Sequence, residues 1–170
     1  MAEDGLLGLN KDPNFDKNLW IYMYYSFTKG SFNVLSRFTM KGDQLLLDSE
    51  IEMLKIETQR QECCHTGSSI EWDAKGNLFL STGDNTSPHA SDGYIPSDER
   101  LGRMPCDAQK SSANTNDLRG KTIRITAQAD GTYTIPEGNL FATGTTKTRP
   151  EIYTMWHRNP FRIHVDKHTG

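Results

Sequence analysis

At 170 residues the chain has the length of one domain and enough material to bury a real core. Only 35% of it is hydrophobic, and 19 basic against 22 acidic residues leave a net charge of -3. Neither a basic nucleic-acid surface nor an apolar bilayer span is encoded, and Met1 opens into AEDGLLGLN with no signal-peptide pattern behind it.

Helix-period patterns are scarce, whereas short runs of β-branched and aromatic residues bounded by Gly, Asn, Asp or Pro recur along the chain. Strands are expected at 20–26, 33–40, 51–56, 69–72, 78–82, 122–126, 132–135, 152–156 and 161–165, which makes the class all-β. The stretch SIEWDAKGNLFLSTGDN reads as a hairpin, with Asp73-Ala74-Lys75-Gly76 supplying its turn. Just before it stand Cys63, Cys64 and His65; the third cysteine is Cys106. Adjacent side chains of an extended segment point apart, so a Cys-Cys-His zinc site would need ligands from elsewhere. Small buried cysteines, a vicinal disulfide and a Cys64–Cys106 bridge all remain open. Residues 83–120 are rich in Gly, Ser and Asp with little alternation, and so read as a long inserted loop.

Three segments echo one another: GLLGLNKDPNF (5–15), GSSIEWDAKGN (67–77) and PFRIHVDKHTG (160–170). Each begins with a small residue or proline, continues as an alternating strand and ends in an Asp-led turn, at Asp12, Asp73 and Asp166. These separations suit propeller blades of about 40–50 residues carrying inserted loops. Innermost strands of successive blades face one axis, so the residues just before each echo meet at one mouth of the channel. Those residues are Glu3-Asp4, His65-Thr66 and His157-Arg158-Asn159. The expectation is about three blades of a longer propeller; an open sandwich of two sheets is the competing architecture.

GLLGLNKDPNF, HTGSSIEWDAKGNLFLSTGDN, DAQKSSANTNDLRGKTIRI, DGTYTIPEGNLF and RPEIYTMWHRNPFRIHVD together resemble the glucose/sorbosone dehydrogenase family along essentially the whole chain. The resemblance implies a partial six-bladed β-propeller, one domain over residues 1–170. It also implies oxidation of an aldose at its anomeric carbon with pyrroloquinoline quinone (PQQ), and an external electron acceptor such as a cytochrome or quinone. A periplasmic or secreted location follows from the same source. His65 matches the catalytic histidine, Arg158 and Asn159 match cofactor-contacting residues, and Glu3 and His65 fall at sugar-contacting positions. Glu3 stands where glucose-oxidising members carry glutamine, and Cys64 where they carry aspartate. Calcium ligands and further basic residues for the cofactor are expected beyond Gly170, so no metal ligand is assigned within the chain.

The chemistry asks for these residue types. Oxidising an anomeric carbon removes a hydroxyl proton and a hydride; a neutral histidine can take the first, and an electrophilic cofactor must take the second. A fixed arginine stabilises the charge that then develops on the acceptor oxygen. Arg158 could instead pair with a carboxylate such as Glu151, and His157 reads as structural. Two other functions compete: a calcium-dependent lactonase-like propeller and a non-catalytic binding propeller. The 170-residue chain alone is expected to be inactive.

Overall fold

The computed structural model describes residues 3–89, 91–166 and 168. The first sheet is an antiparallel meander of β1 (Leu6–Lys11), β2 (Trp20–Ser26), β3 (Phe32–Lys41) and β4 (Gln44–Glu57), ordered as in the sequence. Gly42, at φ +62°, opens a two-residue turn in which Lys41 pairs with Gln44. That turn is why β4 starts well before the expected 51–56. The second sheet runs β5 (Ile70–Trp72), β6 (Leu78–Ser81) and β7 (Lys121–Ala127). Beyond β7, β8 (Tyr133–Thr134) pairs with one end of that strand and β9 (Ile152–Met155) with the other.

The echo seen in the sequence has a physical basis in its turns. Asp12 Oδ1 accepts from the Asn14 amide, Asp73 Oδ1 from Lys75 and Asp166 Oδ1 from His168, each two residues on. All three aspartates thus build the same side-chain-closed turn after an inner segment. The third echo stops there: 161–165, expected as a strand, forms no ladder among the described residues. A strand exists only against a partner, and this segment instead sends Arg162 Nη1 to the Ser68 carbonyl at 3.1 Å. Two sheets are therefore built among the described residues.

The core lies where the two sheets meet. Tyr22, Tyr24, Leu35, Leu54 and Ile56 pack towards Ile70, Trp72, Leu78, Leu80, Ile123, Ile125 and Ile152, and the Tyr22 and Trp72 rings meet edge to face at 5.0 Å. The inner strands are joined by Asn10 Nδ2 donating to the Ile70 carbonyl at 2.8 Å. At the outer side the buried Arg37 donates to the Gln128 and Ala129 carbonyls at 2.9 and 3.0 Å, with its guanidinium over the Trp20 ring.

Candidate functional site

His65 sits in the irregular segment that leads into β5 and is 5% exposed. Its Nδ1 lies 2.9 Å from Oδ1 of Asp84, itself 1% exposed, and Nη1 of Arg158 lies 2.5 Å from its Nε2. An ionised carboxylate only accepts and a guanidinium only donates. The proton therefore resides on Nδ1, and Nε2 presents its lone pair to Arg158. Asp84 is fixed in turn: its Oδ1 also accepts from the Thr86 amide, and its own amide donates to the Arg158 carbonyl at 2.8 Å.

The Gly83-Asp84-Asn85 motif that ends β6 explains this closeness. A Cβ on Gly83 would stand 2.2 Å from the His65 carbonyl oxygen, so only glycine lets β6 approach here. Asp84 then takes the imidazole, and the Asn85 amide donates to the His65 carbonyl at 3.0 Å. Sequence reasoning assigned no role to Asp84, which follows β6 by three residues.

The three pre-echo segments do converge. Glu3 Oε2 accepts from the Thr66 amide at 2.8 Å, and Asn159 Oδ1 accepts from the Gly67 amide at 3.0 Å. Both side-chain oxygens thus fasten the His65 segment. Glu3 lines a small cavity with Cys64, Arg60 and Asn85, apart from the one that Arg158 lines. Arg158 is exposed, and among the described residues its guanidinium bonds only the His65 ring. Glu151 is engaged elsewhere, by Arg149 at 2.7 Å and the Tyr133 hydroxyl at 2.9 Å.

Arg158, Asp84, Trp156 and His157 border a cavity of about 220 Å³ whose far wall is the 83–120 loop, through Pro96, Ser97, Ala108, Gln109, Ser112 and Ala113. That loop contains two one-turn 3-10 helices, Met104–Cys106 and Ala108–Lys110, and one isolated bridge. It is tied down by the buried Lys121 of β7, whose Nζ donates to the Ser111, Ser112 and Arg119 carbonyls at 2.7–3.0 Å. Burial draws the Lys121 ammonium down to about 8. His157 is held below its ordinary value by burial and by that ammonium, and its Nε2 lies 2.7 Å from the Thr154 hydroxyl, a structural role. Cys63 and Cys64 form a vicinal disulfide and Cys106 is a buried free thiol, which closes the alternatives left by the sequence. Among the described residues no group of three or more His, Cys, Asp or Glu could hold a metal ion.

Two blade-like antiparallel sheets with an aspartate-bonded histidine where they meet define a partial β-propeller. The chain belongs to the glucose/sorbosone dehydrogenase family, whose model matches residues 1–170. It is similar to a putative oxidoreductase (glucose dehydrogenase) of Thermus thermophilus, at 26% identity and a TM-score of 0.66, over 92% of this chain and 40% of that one. The soluble aldose sugar dehydrogenase of Escherichia coli, solved in its apo form, shares the fold at 22% identity and a TM-score of 0.65, over 92% and 39%. The PQQ-bound aldose sugar dehydrogenase of Streptomyces coelicolor does so at 22% and 0.61, over 92% and 37%. The chain thus spans about two fifths of the length of these solved proteins.

Proposed function

We propose that this chain is the base-bearing part of a PQQ-dependent aldose dehydrogenase that oxidises a sugar at its anomeric carbon to the lactone. The observation that carries the reading is the buried Asp84–His65 pair with its Nε2 lone pair turned to the exposed Arg158. The residues present fit an anionic electron acceptor: Arg158 borders the cavity with no carboxylate partner among the described residues, and its planar fork suits carboxylate or quinone oxygens. Arg158, with Asn159 beside it, would hold the cofactor. When bound, PQQ supplies the two-electron acceptor that no side chain offers. Calcium ligands, further cofactor-binding groups and the external acceptor, a cytochrome or quinone, are proposed to lie outside these residues. The stretch alone is then inactive, and the family resemblance favours a periplasmic or secreted location.

In this reading His65 accepts the anomeric hydroxyl proton at Nε2, while Asp84 holds the ring and stabilises the imidazolium that results. Arg158 meets the same nitrogen, so the base comes free when the guanidinium turns to a ligand oxygen. Glu3 belongs to this site by holding the segment that carries the base. The test uses the full-length protein. His65→Ala should lower kcat by about 10²–10⁴-fold with PQQ binding, read by absorbance titration, nearly intact. Arg158→Lys should lose about 10²–10³-fold in rate together with quinone affinity. Near wild-type turnover in His65→Ala would remove the base, and an unchanged Arg158→Lys would remove the cofactor site.

A further inference from the structure

Among the residues bordering the cavity beside Arg158, Trp156 brings the largest aromatic surface, and its backbone is unusual. Its φ is +74°, a region that bulky L-residues adopt only under steric strain. Packing ordinarily offsets such strain, yet Trp156 is 70% exposed and buries little. The main chain explains the conformation without the indole. The Trp156 amide donates to the Ser112 carbonyl at 3.3 Å, the His157 amide to Gly120 at 3.1 Å, and the Arg158 carbonyl accepts from Asp84 at 2.8 Å. Glycine at 156 would keep all three bonds and relieve the strain. The loop requires a left-handed residue there; nothing in its packing requires a tryptophan.

The indole is therefore retained for what it meets in the cavity. The indole shares this cavity with Arg158, Gln109, Ser97 and Ser112, which bring polar groups to it. A pyranose has the complementary form, with C–H groups on one face and hydroxyls around the edge that need donors and acceptors. At about 220 Å³ the cavity has room for one sugar ring beside Arg158. We propose that Trp156 is the platform on which the aldose ring stacks and the residue that sets how tightly different aldoses are held. The proposal deepens the dehydrogenase reading and rests on it for the identity of the ligand.

The experiment compares full-length wild type, Trp156→Gly and Trp156→Phe with D-glucose, D-galactose and D-xylose as probes. Trp156→Gly should melt at the wild-type temperature or above it, bind PQQ with unchanged affinity, and raise KM for the preferred sugar about tenfold or more with kcat little altered. Trp156→Phe should keep most of the affinity. Sugar should also change the indole fluorescence of the wild type and leave that of Trp156→Gly unchanged. A lower melting temperature in Trp156→Gly would make the indole a packing residue and overturn the proposal. Lost quinone affinity at constant KM, or wild-type KM and fluorescence response in Trp156→Gly, would overturn it too. A wild type that turns over no aldose but shows the Trp156-dependent fluorescence change would sink the redox reading and leave the platform standing. Turnover with no dependence on residue 156 would do the reverse.

Discussion

Asp84 carries more of the site than its place in a loop motif foretells. A histidine works as a base only in the tautomer that leaves the reacting nitrogen bare, and Asp84 favours that tautomer by accepting a hydrogen bond from Nδ1–H. Asp84→Asn keeps the size but can present an amide donor to Nδ1, which favours the opposite tautomer. We expect kcat to fall by about 10²–10⁴-fold with little change in sugar KM. The ¹⁵N shifts of the His65 ring should show the proton moving from Nδ1 to Nε2, a readout that mere loosening of the loop would not give. That the segments holding His65 and Arg158-Asn159 meet was legible in the sequence. Asp84 was not, because its partner lies 19 residues away and only folding brings the two together. Nor could the sequence show that Glu3 and Asn159 direct their oxygens to backbone amides at Thr66 and Gly67, since such contacts depend on which loops meet.

Among the elements, the long loop is the least regular and the most dependent on a single side chain. Lys121 draws three carbonyls together, of which those of Ser111 and Ser112 also accept from the Asn114 and Trp156 amides. Lys121→Met keeps the apolar stem and removes the ammonium, so the three carbonyls lose the donor they share. A destabilisation of about 2–3 kcal/mol is expected after allowing for the relief of burying a charge. Hydrogen exchange should accelerate at 108–120 while β2 and β3 stay protected; uniform acceleration would mean that the loop is not a separate unit. Most strands were legible because alternation and turn residues are local properties. The exceptions were segments whose state depends on neighbours: β8 shrinks to two paired residues, and 161–165 finds no ladder among the described residues. The early start of β4 was legible in Lys41-Gly42-Asp43-Gln44, a two-residue turn signal outweighed by the mixed polarity that follows it.

For the molecule as a whole, the two sheets share a core while the site is assembled only at their rim. Tyr22, Trp72, Leu80 and Ile123 are buried between the sheets, whereas His65, Asp84 and Arg158 hang from three loops. Such a division lets the loops open without unfolding the sheets. In urea, the full-length protein should lose the proposed aldose oxidation at lower denaturant than it loses far-ultraviolet circular dichroism. Coincident transitions would show that rim and core form one cooperative unit.

The contact between Arg158 and His65 closes a loop of 93 residues. Closing so long a segment is only slightly harder than closing one half its length, by about 0.6 kcal/mol, but neither residue gains anything until the chain between them is ordered. On the proposed reading, the base can meet Asp84 across 19 residues but meets Arg158 only once the chain between them is ordered. Assembly of the full proposed site is then a late event in the history of each molecule, and it doubles as a report that the rest has been made correctly.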